Sequence, residues 1–341
     1  MNRIVRGSVV ATTLVVIAAL APHADAQNAY KPPRTSWGEP DLQGLWPSTH
    51  MVSTPFERPA EFGDRLYLTD AEFKARQKQA EHQGAVDLES VDVEQAAGKE
   101  QDMITGGISP PPHWLERGEP QRQSSLIVDP PNGRLPPMTA EGAARQKALK
   151  NTYLQQSGFG SYADLGPYDR CISRGPVGSM MPVIYNDGNE FVQSPGFIAF
   201  RNEMIHETRV IPLDGRGHVA ASVKSYMGDS RGRWDGDTLV VETTNLNGRT
   251  GAQGNGMMLM MSDAAKITER FARTGADTLR YEVAVDDPKT WTKPWKASFE
   301  LRREPDYQLF EYACHEGNHA MRNVLSAARA TEATEAAAAP R

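Results

Sequence analysis

The stretch GADTLRYEVAVDD, residues 275–287, decides the fold class. Leu279, Tyr281, Val283 and Val285 alternate with Arg280, Glu282 and Ala284, the period of two expected of a half-buried β-strand. Working outward, DTLVVETT (237–244), AAKITERFART (264–274), KASFELRRE (296–304) and YQLFEYAC (307–314) repeat the texture. Between such runs stand Asp187-Gly188, Asp214-Gly215, Asp235-Gly236 and Gly275-Ala276-Asp277. Asp-Gly supplies the positive φ values that a type I′ hairpin turn needs. Strands joined in order by tight turns make an antiparallel meander, and a long meander closes or folds on itself to remove its edges. The fold class predicted is therefore mainly β, a barrel-like or sandwich domain over residues 161–330 that includes a short C-terminal helix. Residues 331–341 read as a disordered tail.

Upstream, residues 27–160 form a proline-rich arm. KPPRTSWGEPDLQGLW, STPFERPAEFG, ISPPPHWLERGEP and VDPPNGRLPPMT read as extended or turn segments, because proline fixes φ and removes a donor. Two helices interrupt the arm. One spans about 69–83, with Thr69 as N-cap and Glu72 at the capping-box position; the other spans about 139–156, opening at Thr139. The polar, acidic stretch 85–107 between them reads as a mobile excursion. No internal repeat is present.

The first 26 residues carry a basic start (Arg3, Arg6), an apolar run from about Val9 to Leu20 and Ala24-Asp25-Ala26. This is the pattern of a secretory signal peptide cleaved after Ala26, with a retained membrane anchor as the alternative. The mature chain of about 315 residues is then periplasmic or secreted, with no stable membrane insertion. Removing Arg3, Arg6 and Asp25 takes the formal charge from −6 to −7. A mildly acidic chain without a basic stripe argues against nucleic acid as a partner. The two cysteines, Cys171 and Cys314, are either a disulfide, chemically reasonable after export, or two buried thiols.

Residues 312–321, YACHEGNHAM, contain His315-Glu316-x-x-His319, the H-E-x-x-H letters of zinc proteases. That motif works only on a continuous helix. Here an alternating run leads into His315, Gly317 interrupts, and Asn318 reads as the N-cap of the next helix. No metal site is assigned to it. The remaining candidates come from two His-Glu pairs, His206-Glu207 and His315-Glu316. Neighbours on a strand point to opposite faces, so a site would draw one member from each pair. One reading makes His206 and His315 catalytic in a cavity with Asp229 nearby. The other makes them satisfied histidines, with Glu207 and Arg209 a surface pair. In YMGDSRGRWDGDTLVVETTN (226–245), Arg231 and Arg233 would clamp an anionic group beside Trp234, or pair across the hairpin that Trp234 caps. GNGMMLMMSD (254–263) would place Met258 and Met260 at an apolar cavity mouth, or simply in the core.

Together DLQGLW, SLIVDPPNGRLPP, YDRCISRG, EMIHETRVIPLDGR, GDSRGRWDGDTLVVETTN and FEYACHEGN resemble a large family of exported bacterial proteins of unknown function. The resemblance covers nearly the whole mature chain and implies export and a shared fold, but no chemistry or cofactor. DLQGLW is also similar to the G-x-W first strand of lipocalin-like barrels. The expected function is binding of a small, partly apolar molecule in a β-barrel-like cavity, with Glu207 and Glu316 among its polar groups. The alternatives are a hydrolase or lyase using His206 and His315, and a structural envelope protein whose arm wraps a partner.

Overall fold

The computed structural model describes residues 30–88, 115–116, 118–152, 154 and 159–338. The signal-peptide residues, most of the acidic stretch and residues 155–158 lie outside this set.

The opening stretch becomes β11 (Thr278–Asp286), with Leu279, Tyr281, Val283 and Val285 fully buried. It sits in a six-stranded antiparallel sheet ordered β2-β12-β11-β10-β7-β6. The other members are β2 (Ile127–Asp129), β6 (Asp229–Asp235), β7 (Thr238–Thr244), β10 (Lys266–Gly275) and β12 (Trp295–Arg302). A second sheet is ordered β1-β3-β4-β5, from Gly44–Leu45, Asn189–Ser194, Phe197–Asn202 and Thr208–Pro212. A small hairpin, β8 (Gly251–Gln253) with β9 (Met258–Met260), stands apart.

The two large sheets face each other across an aromatic core. Phe191 and Phe200 of the four-stranded sheet lie 5.1 and 5.7 Å from Phe271 of the six-stranded one. Phe271, Tyr281 and Phe299 continue the contact along β10, β11 and β12 at 5.1 and 5.2 Å. Deeper still, Arg209 of β5 and Glu269 of β10 form a buried two-point ion pair, with Tyr281 Oη donating to the same carboxylate. Arg209 therefore pairs across the sheets and not with Glu207 at the surface. The antiparallel β fold is as expected, but neither sheet closes among the described residues. The barrel closure implied by the lipocalin-like resemblance does not form there, and the space between the sheets is filled by side chains.

The arm is built into this core. Leu42, Trp46, Met51, Phe56, Leu126 and Ile127 are buried in it, and β1 and β2 complete one edge of each sheet. The described parts of the arm are thus packed on the β domain. Trp46 lies under the Arg303 guanidinium at 4.6 Å, and Arg303 donates to the Gln43 carbonyl. A Cβ on Gly44, where φ is +121°, would lie 2.9 Å from Arg303 Nη2. The guanidinium can move aside, so it is the left-handed φ that calls for glycine in G-x-W.

Turns and helices depart from expectation in instructive ways. The β6–β7 loop is Gly236-Asp237, with positive φ at Gly236 only. That is the pattern of type II′ and not I′. Asp187-Gly188 precedes β3, and Asp214-Gly215 opens a long connection between the two sheets, so neither is a hairpin turn. Helix α1 (Asp70–Leu88) starts at the expected capping box, with Thr69 N–H donating to Glu72 Oε2 at 2.8 Å. Helix α2 (Ala140–Lys147) is capped by Thr139 but stops short of residue 156. The C-terminal helix α3 (Ala320–Ala338) runs through residues expected as a tail. Among the described residues no helix is long and apolar enough to cross a membrane.

One predicted strand is absent. After β12 ends at Arg302, residues 303–318 form a strap with no ladder of their own. Side chains and the Cys171–Cys314 disulfide hold it instead.

Candidate functional site

The site grows from the β4–β5 connection. Residues 203–211, read from the sequence as continuous strand, begin instead with a tight turn over Met204–His206. Ile205 and His206 take φ values of +65° and +46°. A β-branched residue in the left-handed region is costly, on the order of 1–3 kcal/mol, and such outliers persist only where surroundings over-determine them. Here Ile205 is buried, Glu203 N–H donates to Gly188 O, and His206 N–H donates to Glu203 O.

The turn presents His206 to a pocket of about 360 Å³ lined by Arg201, Glu203, His206, Leu309, Phe310 and Glu311. Three residues come from the four-stranded sheet and its turn, three from the strap. His206 Nδ1 lies 3.0 Å from the Tyr312 carbonyl. A carbonyl only accepts, so Nδ1 carries a proton and the bond leaves Nε2 facing the pocket side of the ring.

Beneath the pocket, Glu203 is buried and accepts from four donors. Asn186 Nδ2 and Phe310 N–H reach Oε1 at 3.0 and 2.9 Å, while Gly188 N–H and Tyr307 Oη reach Oε2 at 3.2 and 2.7 Å. Tyr307 Oη also lies 2.8 Å from Glu116 Oε2. Burial pushes the Glu116 and Asp187 carboxyls up, most strongly at Asp187. It also holds the Tyr307 and Tyr168 phenols well above their ordinary range, which keeps them protonated. A second hydroxyl chain, Tyr185–Tyr168–Tyr312 with 2.9 Å at each step, anchors the strap further along.

Of the residues singled out in the sequence, His206 lines this pocket. His315 and Glu316 do not; they sit exposed in a turn at residues 314–317, and His319 lies outside α3, which begins at Ala320. The H-E-x-x-H letters are divided by Gly317 at φ +64°. Glu207 turns away from the pocket to accept from Ser173 Oγ at 2.9 Å, and burial raises its pKa. Asp229 is not with His206 or His315: its carboxylate holds His218 Nδ1 and Arg231 Nη1, each at 2.8 Å. Arg231 also donates to the Gly217 and Ser230 carbonyls, and exposed Arg233 lies 3.5 Å from Glu242. Both guanidiniums thus have partners within the β6–β7 hairpin, and Arg231 also holds the connection before it. Trp234 packs half-buried against the core, as a hairpin cap. Met258 and Met260 lie on β9 beside α2, where Gln146 Oε1 accepts from Met260 N–H at 3.2 Å. Among the described residues no group of three or more His, Cys, Asp or Glu is placed to hold a metal ion.

Glu116, Glu203 and Tyr307 were missed by sequence reasoning. Glu203 was passed over beside His206, and Tyr307 was absorbed into a strand pattern. The available signal was the aromatic density of YQLFEYAC, higher than an edge strand requires. Comparison with protein-family models, curated proteins and solved structures returned no match.

Proposed function

We propose that this is an exported protein that binds a small, partly apolar molecule in the pocket at the β4–β5 turn, not between the sheets. The observation that carries the reading is the pocket itself, with left-handed His206 on its rim. Leu309 and largely exposed Phe310 offer apolar surface, while His206 Nε2, Arg201 and Glu311 offer directional polar groups. Export to the periplasm or medium rests on the N-terminal signal pattern, and the Cys171–Cys314 bridge is compatible with it. A thermal-shift screen of chemically diverse small molecules tests the reading, run in parallel on wild type, His206→Ala and Phe310→Ala. Compounds should raise the wild-type Tm and lose that effect in both variants. Hits that shift all three proteins equally would place binding elsewhere.

A second reading, a hydrolase or lyase, draws on the paired strain at Ile205 and His206 and on the unbonded Nε2 of an oriented imidazole. It now involves His206 without His315. Turnover of chromogenic esters that His206→Ala abolishes and His315→Ala leaves unchanged would favour it over simple binding.

A further inference from the structure

We propose that the strap forming one wall of the pocket is proton-gated: a hydrogen-bond chain from a protonated Glu116 through Tyr307 to Glu203 clamps residues 307–311 against the β4–β5 turn, and loss of the Glu116 proton as pH rises releases the wall. The inference rests on that pocket being the binding site, and adds how access to it is controlled.

The geometry carries the argument. Tyr307 has one hydroxyl proton, yet its oxygen lies 2.7 Å from Glu203 Oε2 and 2.8 Å from Glu116 Oε2. One proton satisfies one of these contacts. The other brings two oxygens within hydrogen-bond distance and needs a proton from the carboxyl side. Both oxygens of Glu203 are taken by N–H donors, three in all beside the phenol, so it is the carboxylate; Glu116 Oε2 accepts the Asp187 N–H at 3.2 Å, which a hydroxyl oxygen can do while it donates. Glu116 is the acid, donating to Tyr307, which donates in turn to Glu203. Burial acts in the same direction at Glu116, raising its pKa above the ordinary carboxylate value.

The groups facing this chain from the surrounding elements act both ways: the Glu203 charge favours the protonated form of Glu116, and the backbone N–H groups it accepts favour the ionised form. Asp187, before β3, gives its N–H to Glu116 and adds a third buried acid, which Ser48 Oγ and the charge of Arg174 partly offset. Glu304, at the start of the strap, is taken by Thr49. His206 sits on the other side of Glu203, bonded to the Tyr312 carbonyl. When Glu116 ionises, two carboxylates confront each other across one phenol in a buried place. Between its ends, where Arg303 and Glu304 are tied to Asp277, Gln43 and Thr49, the strap then resists through Phe310 N–H, the Tyr312 contacts and the disulfide, because no ladder holds it. Fixed at Arg302 and Cys314, it opens as a flap between two anchors.

Hydrogen–deuterium exchange on the full-length protein tests this without any ligand, from about pH 5 to about pH 9 and corrected for the intrinsic base dependence of exchange. Corrected protection of amides 306–313 should fall by about tenfold or more as Glu116 titrates, while β10 and β11 amides hold steady. Glu116→Gln should show no such step, since its amide donates to Tyr307 at every pH, and Tyr307→Phe should leave the strap unprotected throughout. A flat wild-type profile overturns the proposal, and so does an unchanged step in Glu116→Gln. Should that variant not fold, the wild-type profile alone decides. The readout is strap motion, so its failure is distinct from failure of small-molecule binding.

Discussion

His50 shows what burial does to one titratable side chain. It sits in a single turn, Thr49–Met51, at 4% exposure, with neither ring nitrogen in a well-formed hydrogen bond among the described residues. Burial, helped by the nearby Arg302 charge, lowers its pKa from 6.5 to about 4, and the Glu300 backbone pulls weakly the other way. The unfolded chain therefore binds the proton more readily between these values, and stability falls as pH drops through that window, by on the order of 3 kcal/mol. Denaturant titrations at about pH 7 and about pH 4.5 should show His50→Leu with a shallower loss than wild type. Equal slopes would assign the acid sensitivity to other groups. His50 drew no attention in the sequence, where a lone histidine after Pro-Ser-Thr carries no periodicity. His206 stood out in the sequence because it is one of two His-Glu pairs. His315 shared the letters but not the setting, since the alternation of the segment before it has no strand to pair with.

At the scale of elements, the alternation of β10 already put Ile267, Glu269, Phe271 and Arg273 on one face, all now buried. What it could not supply was the partner, because Arg209 lies on a different sheet and far away in sequence. The pair has Nη1–Oε2 at 2.6 Å and Nη2–Oε1 at 3.0 Å. Burial acts against the Arg209 charge, and Glu269 more than restores it, so its pKa is raised. Removing one partner strands the other: Glu269→Gln should cost about 3–5 kcal/mol in equilibrium unfolding. The double variant Arg209→Met with Glu269→Leu should cost less than that single change. If the double variant costs as much, the pair contributes net attraction beyond its own desolvation. The strap is the opposite case. YQLFEYAC has the letters of a strand, but its hydrogen bonds go to side chains, which a pattern of periods cannot show.

For the whole molecule, composition and hairpin texture were enough for an antiparallel β fold, while closure was not legible. Closure depends on which edges the arm occupies, and proline-rich segments carry no period that reveals docking. The disulfide acts at this scale, joining residues 143 apart in sequence. In the chain-entropy model such a crosslink stabilises by about 5 kcal/mol. Cys171→Ser with Cys314→Ser should lower equilibrium stability by several kcal/mol, and the pair of substitutions should cost little more than either alone. A near-zero effect would mean that the tyrosine chain and Glu203 hold the strap unaided.

The two short arm strands also set an order in time. Gly44 pairs with Phe191, and Ile127 with Ala297, so each early segment borders a strand made much later. The β6–β7 and β10–β11–β12 hairpins close with neighbours in sequence and can form at once, whereas the arm must wait for its docking edges. Refolding should show the six-stranded meander gaining protection ahead of Trp46, whose burial under Arg303 marks the last edge to close.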